Sequence, residues 1–116
     1  MSRENQVRQS LFDIERALRE SPFWQVVPPE EEAFNSTEPF SLDTMKPEEW
    51  LQWVFLPRMH ALLDSELALP AELVLLPYFE EALEGSPEET AAVLLRIGLL
   101  DELFRPDAQD GAAHDA

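Results

Sequence analysis

The fold is decided by the segment Glu49-Trp50-Leu51-Gln52-Trp53-Val54-Phe55-Leu56-Pro57-Arg58-Met59. At 100° per residue, its apolar side chains lie on every side of a helix rather than along one stripe. A helix that is apolar all round is either central in a packed domain or spans a membrane. This segment is too short and too interrupted to span a bilayer. It therefore predicts a central helix, with both tryptophans in the core.

The central helix is expected to start near Thr44–Pro47 and to run to about Asp64. Pro57 lies inside it and is expected to kink it, because proline removes a hydrogen bond and clashes with the preceding turn. A third helix is predicted over residues 70–84, kinked in the same way at Pro77. Gly85 would end this helix as a left-handed cap.

The outer helices have clear signals of their own. Residues 2–20 place apolar side chains at helical spacing, which predicts an amphipathic first helix; these are Val7, Leu11, Ile14 and Leu18. Before the last helix, Ser86 and Glu89 have the spacing of a capping box, with proline between them at the first helical position. Gly98 lies inside this helix, and a pause is expected there because glycine disfavours helix.

Residues 25–46 are the least regular part of the chain. They combine turn-forming residues and an acidic elbow at 28–32 with several large apolar residues; these are Phe34, Phe40, Leu42 and Met45. A disordered linker seldom carries so many apolar anchors. We therefore predict an ordered loop that crosses over the helices.

Together these elements predict an all-α protein. Its architecture is a compact antiparallel bundle of four main helices, the second and third kinked at internal prolines, with a long ordered loop between the first and second. Residues 1–104 are expected to form a single domain. Residues 105–116, which contain no large apolar residue, are expected to form a flexible acidic tail.

Charge is the strongest global signal, with 24 acidic residues against 8 basic ones and a net charge of −16. Residues 1–20 hold four of each kind, so the whole excess lies in residues 21–116. Such a surface repels phosphate, which argues against direct binding of nucleic acid. The charge serves solubility, marks a docking face for a basic protein or, more remotely, mimics a nucleic acid. The polar N-terminus and the absence of cysteine favour a cytoplasmic protein without membrane spans.

No stretch of the chain matches a catalytic, cofactor-binding or metal-binding motif. His60 and Asp64 are four residues apart on one helix face, but no third ligand is near them in the sequence, and a site needs three or four convergent groups. The glutamate clusters lack the spacing of a calcium loop. We predict no catalytic residue, no cofactor and no metal.

Six residues remain candidates for interaction with a partner: Arg58, His60, Tyr78, Trp24, Phe34 and Phe40. Arg58 follows the proline of the central helix. It has either a structural role, in an ion pair with a neighbouring carboxylate, or a functional role, as an anchor for an anionic group. The aromatic candidates are expected mostly in the core, and any that prove exposed would mark an interface.

Four stretches carry a family resemblance: Ser21-Pro22-Phe23-Trp24, Pro39-Phe40-Ser41-Leu42-Asp43-Thr44-Met45, the segment 49–59, and Pro77-Tyr78-Phe79-Glu80-Glu81-Ala82. With them, the chain resembles the YqcC-like family of small, uncharacterised bacterial proteins over roughly residues 3–104. The resemblance implies a compact four-helix fold in the bacterial cytoplasm and no assigned catalytic residue. Members of the family are sometimes labelled as associated with a tRNA pseudouridine synthase, and the chain has no motif of such an enzyme.

The leading functional hypothesis is therefore a non-enzymatic accessory protein that binds another protein through its acidic surface. The partner would be basic, for example an RNA-modifying enzyme such as a tRNA pseudouridine synthase. A second hypothesis is a small-molecule binder or enzyme with a pocket near Pro57 and Pro77, where Arg58, His60 or Tyr78 would converge. A third is a structural homodimer joined through an exposed aromatic patch.

Overall fold

The computed structural model describes residues 2–105 of the 116-residue chain, and helices are the only regular secondary structure in this part. The helices are α1 (Arg3–Arg19), α2 (Pro47–Trp50), α3 (Leu56–Asp64), α4 (Leu76–Ala82) and α5 (Pro87–Leu103). A π-helical turn, Leu51–Phe55, joins α2 directly to α3, so residues 47–64 form one continuous central helix. Counted in this way, the described residues form four helices, which confirms the predicted class.

Helix α1 begins with the side chain of Ser2, whose oxygen accepts the backbone N–H of Asn5 at 3.1 Å. Its predicted apolar stripe is fully buried, with Val7, Leu11, Ile14 and Leu18 all at 0% exposure. The helix packs against α5 on one side and α3 on the other. The core therefore lies between α1, the central helix and α5, and α4 closes it against α5.

The central helix departs from α-helical geometry just before Pro57, close to the predicted position. The departure is the π turn, in which the N–H of Leu56 donates to the carbonyl of Leu51, five residues back. Pro57 is the next residue and has no N–H to donate, so the irregularity lies where proline interrupts the internal hydrogen bonds of the continuous helix. Trp50 and Trp53 are half-buried, so the prediction that both lie in the core is only partly right.

The predicted third helix is shorter than expected, and its proline does not kink it. Helix α4 starts at Leu76, so Pro77 is in its first turn and residues 70–75 are irregular. The physical reason is that proline fits a first turn without cost but not a helix interior. The predicted left-handed cap at Gly85 is also wrong, because no described glycine has a positive φ. Instead, a Cβ at Gly85 would lie 2.9 Å from the buried ring of Phe23.

Helix α5 begins with the predicted capping box. Ser86 Oγ accepts the N–H of Glu89 at 3.2 Å, and Glu89 Oε1 accepts the N–H of Ser86 at 2.9 Å. The helix continues through Gly98 without the expected pause. A Cβ at Gly98 would lie 3.2 Å from a methyl group of Leu76, so this glycine allows α4 to pack closely on α5.

Residues 25–46, hereafter the crossing segment, form an ordered connection that contains two short 3₁₀ helices, Glu31–Asn35 and Pro39–Ser41. This confirms the predicted loop between the first helix and the central helix. No described helix is long and apolar enough to cross a membrane. Apart from Arg105, the predicted C-terminal tail lies outside the described residues, and the single-domain assignment stays a prediction.

Candidate protein-interaction surface

The crossing segment exposes large apolar side chains to an unusual extent. Val26 is 87% exposed and Val27 is 70% exposed, and Leu42 and Phe34 follow at 54% and 43%. Acidic side chains alternate with them along the same segment. Interfaces between proteins combine apolar side chains at their centre with polar ones at their rim, and this segment offers both kinds.

A buried glutamine of the central helix fixes the start of this segment. Gln52 is 7% exposed, and its amide makes two hydrogen bonds to the backbone of Gln25. Gln52 Oε1 accepts the N–H of Gln25 at 2.9 Å, and Gln52 Nε2 donates to the carbonyl of Gln25 at 2.8 Å. The Gln52 amide thus pairs with Gln25 as the backbone of a neighbouring β-strand would. Both the N–H and the carbonyl of Gln25 are satisfied.

Two further hydrogen bonds close the segment into a compact loop. Thr44 Oγ1 donates to the carbonyl of Ala33 at 2.8 Å, which joins positions eleven residues apart. The hydroxyl of Ser36 donates to the carboxylate of Asp43. These hydrogen bonds, together with those between Gln52 and Gln25, hold the framework of the crossing segment in one conformation. Its exposed side chains therefore project from an ordered loop and not from a flexible linker.

Phe40 anchors the segment to two helices. Its ring stacks on Tyr78 of α4, with centroids 4.0 Å apart and planes 7° from parallel, and it meets Trp50 of α2 edge-on at 4.9 Å. To reach this position Phe40 adopts φ 59°, and Ser41 follows with φ 47°. Left-handed backbone at a non-glycine residue costs about 1–2 kcal/mol, and the aromatic contacts offset this cost.

A shallow acidic groove lies beside this framework. It has a volume of about 640 Å³ and is lined by Pro28, Pro29, Glu30, Glu32, Ala33, Thr44 and Glu49. Glu49 also accepts the N–H of Lys46 at 2.8 Å and so caps the central helix. Within residues 2–105, no group of three or more His, Asp or Glu side chains is arranged to hold a metal ion. The groove is lined by the carboxylates of Glu30, Glu32 and Glu49, and carboxylates form charge-assisted hydrogen bonds with cationic side chains.

The negative charge of this surface is not compensated by neighbouring bases. Every ion pair among the described residues uses an arginine of α1 or α5, or Arg105 just after α5. Residues 25–49 contain seven carboxylates and one lysine, and none of these groups is in an ion pair within the described part of the chain. Unpaired charges of one sign produce an attractive field for a basic partner.

The structure disperses the candidate residues predicted from the sequence. Phe40 and Tyr78 form the stack described above, and burial, together with the charge of Glu48, raises the pKa of Tyr78. Phe34 belongs to the exposed apolar group. Trp24 is half-buried, with the guanidinium of Arg19 4.9 Å above its ring.

Arg58 and His60 do not join that surface. Arg58 is exposed, and the ion pair considered for it is not formed with any residue from 2 to 105. His60 packs on Phe12 of α1 at 4.9 Å, and its Nε2 atom is buried without a hydrogen-bond partner. Asp64, which the sequence places on the same helix face as His60, is paired with Arg8 at 2.9 Å.

Gln52 was not among the residues predicted to matter. It lies inside the segment 49–59, between apolar neighbours, where a polar side chain needs a partner once it is buried. This position among apolar neighbours was the sequence signal that could have identified Gln52. The identity of the partner, the backbone of Gln25, depends on how the crossing segment folds back and has no local signature.

Comparison with known proteins gives a family. A family model described as "tRNA pseudouridine synthase C" (DUF446) matches residues 6–103. The chain belongs to this family. It is similar to the uncharacterised protein YqcC of Escherichia coli, at 44% identity over 93% of this chain and 99% of the relative. It is also similar to an uncharacterised protein of Haemophilus influenzae, at 48% identity over 85% of this chain and 92% of the relative.

A solved structure supports the fold of this family member. The solution NMR structure of YqcC from E. coli is similar, with a TM-score of 0.79 and 44% sequence identity. The similarity covers 93% of this chain and 92% of that chain. The resemblance inferred from the sequence is confirmed, together with the all-helical fold that it implied.

Proposed function

We propose that the protein is a non-enzymatic accessory factor of the bacterial cytoplasm that binds a basic partner protein through its crossing segment. The observation that carries the proposal is the combination, on one ordered segment, of unpaired carboxylates and exposed apolar side chains. The carboxylates attract and orient a basic partner over distance. The apolar side chains, Phe34 and Val26 among them, then supply the area that is removed from water.

The proposed partner is an enzyme that modifies tRNA. Enzymes that bind RNA carry clustered bases to contact its phosphates, and such a surface is complementary to residues 25–49. The family description, "tRNA pseudouridine synthase C", names an enzyme of this class. On this proposal the chain docks beside or over the basic surface of the synthase and does not bind RNA itself.

The direct test measures binding between the purified chain and tRNA pseudouridine synthase C of the same organism. Isothermal titration calorimetry at about 50 and 300 mM salt is expected to give an affinity that falls as salt rises, because exposed charges are screened. The decisive variant carries Glu30→Lys, Glu31→Lys and Glu32→Lys. We expect it to bind at least tenfold more weakly than the natural chain.

The matched control carries Glu80→Lys, Glu81→Lys and Glu84→Lys, three exposed substitutions in and just after α4. It changes the net charge by the same amount but leaves the crossing segment intact. We expect its affinity to stay within about threefold of the natural chain. If both variants lost the same affinity, net charge alone would explain the effect and the crossing segment would not be the binding site. If the natural chain did not bind, this partner would be refuted.

A further inference from the structure

The tip of the crossing segment has a backbone conformation that its sequence disfavours. Two consecutive turns form there, because the N–H of Ser41 donates to the carbonyl of Glu38 at 3.0 Å and the N–H of Leu42 donates to that of Pro39 at 3.1 Å. Phe40 and Ser41 are the central residues of these turns, with φ 59° and φ 47°. Glycine or asparagine usually fills turn positions with positive φ. The tip is therefore strained at two adjacent residues.

The ring of Phe40 holds the tip in this conformation. It contacts Trp50 and Tyr78, and its centroid also lies 6.4 Å from that of the fully buried Phe79; these three rings are hereafter the aromatic cluster. Phe40 itself is only half-buried, so burial stabilises the tip less than it would stabilise a core ring. Aromatic contacts and left-handed backbone contribute free energies of the same order and of opposite sign. The observed conformation is therefore only slightly favoured over an unstrained one.

The hydrogen bonds that order the rest of this loop lie on either side of the tip. The hydroxyl of Ser36 donates to the carboxylate of Asp43, and Thr44 Oγ1 donates to the carbonyl of Ala33. Residues 38–41 lie between these two links along the chain. The tip can therefore change its conformation while the base of the loop stays in place.

We propose that residues 38–41 form a latch with two states. The closed state is the conformation described above. In the open state, Phe40 and Ser41 return to negative φ, and the ring of Phe40 leaves the aromatic cluster. Opening uncovers the rings of Trp50 and Tyr78 beside the crossing segment. The latch thus controls how much aromatic surface the chain presents, and it does not depend on the identity of the proposed partner.

Fluorine NMR of the full chain labelled with 5-fluorotryptophan tests the latch. Trp50 reports on its state, because this ring lies 4.9 Å from that of Phe40. Trp24 packs against Arg19 instead and is the internal reference. Chemical-exchange saturation transfer, which detects millisecond exchange, is expected to show Trp50 exchanging with a minor state and Trp24 without exchange. Phe40→Ala removes the ring that closes the latch, so its main Trp50 resonance is expected at the position of that minor state.

Two glycine substitutions decide whether strain drives the opening. Ser41→Gly relieves left-handed strain while it retains the ring of Phe40, and it is expected to lower the ratio of open to closed state at least about fivefold. The control Glu38→Gly alters an exposed residue of the same tip with φ −81°. Glycine there adds backbone freedom and relieves no strain, so the ratio is expected to rise about twofold.

Circular dichroism checks that the helices are retained in each variant, and the comparison of the two glycine variants stands even if Phe40→Ala does not fold. Three results would overturn the proposal. The first is a Trp50 resonance of the natural chain without exchange. The second is a folded Phe40→Ala variant whose Trp50 resonance differs from the minor state. The third is a ratio of open to closed state that Ser41→Gly leaves unchanged or raises, or that Glu38→Gly lowers equally.

Discussion

The carboxylate of Asp101 accepts the backbone N–H of Leu75 through both of its oxygens, at 3.0 and 2.9 Å. One of these oxygens also accepts the N–H of Leu76 at 2.8 Å. Leu75 and Leu76 are the N-cap and first residue of α4, which has no capping side chain of its own. An acid near the end of α5 therefore caps the start of α4, where carboxylates are favoured by the free N–H groups and the helix dipole.

We expect Asp101→Ala to lower the free energy of unfolding by about 3 kcal/mol. The substitution leaves the backbone N–H groups of Leu75 and Leu76 without a hydrogen-bond partner, and Leu75 is buried. The control Glu102→Ala removes the neighbouring carboxylate, which is exposed and pairs with Arg105. Its expected cost is below about 1 kcal/mol. Denaturant titration followed by circular dichroism measures both. Equal losses would show that the cap contributes little to stability.

The same residue gives a pH dependence of known sign. Burial raises the pKa of Asp101, the N–H groups of Leu76 and Leu75 oppose the rise, and the charge of Glu102 adds to it. Since the folded state then holds the proton more tightly than the unfolded state, this group stabilises the protein most below its unfolded pKa, about 3.9. That stabilisation is lost as pH rises through the folded pKa.

The variant Asp101→Asn cannot titrate and isolates this effect. The unfolding free energy of the natural chain, minus that of the variant, is expected to fall as pH rises from about 3.5 to 7. Denaturant titrations of both proteins across this range measure the difference. A difference that rises with pH would mean that the three N–H hydrogen bonds outweigh burial and that the pKa is lowered in the folded state.

Local signals explain why most helices were predictable. The stripe of α1 and the capping box at Ser86 depend on residues three or four apart, and each element forms where those signals place it. The start of α4 was missed because its cap comes from Asp101, about 25 positions further along the chain. The position of Asp101 was nevertheless a sequence signal. It lies four residues after the buried Ile97, on the same side of the helix, where a carboxylate needs hydrogen-bond donors from another part of the chain.

The candidate interaction surface was harder to predict for the same reason. Composition indicated an acidic protein, and the anchors Phe40 and Met45 indicated an ordered loop, both from the sequence alone. Which side chains face solvent depends on long-range contacts, such as the stack of Phe40 on Tyr78. The left-handed backbone at Phe40 has no sequence signature, because a bulky residue seldom adopts it.

The hydrogen bonds between Gln52 and Gln25 predict a local effect of substitution. Gln52→Ala removes both bonds and is expected to speed amide exchange in residues 25–46, with a loss of about 1–2 kcal/mol in global stability. Hydrogen–deuterium exchange with peptide-level resolution measures the effect. In the control Gln9→Ala, an exposed glutamine loses only its bond to Asp13, and exchange in residues 25–46 is expected to be unchanged. Unaltered exchange in Gln52→Ala would mean that the aromatic contacts alone hold the segment.

The two tryptophans of the central helix are expected to respond differently to phenylalanine. Trp50 contacts the rings of Phe40 at 4.9 Å and Phe55 at 5.3 Å, so Trp50→Phe loses packing and is expected to cost about 1–2 kcal/mol. Trp53 has a buried Nε1 atom with no hydrogen-bond partner in the described part of the chain. Trp53→Phe removes that unsatisfied group, which offsets the lost apolar area, and stability is expected to change by less than about 0.5 kcal/mol. Thermal and denaturant unfolding compare the two variants, and a larger loss for Trp53→Phe would show that its indole N–H is satisfied in solution.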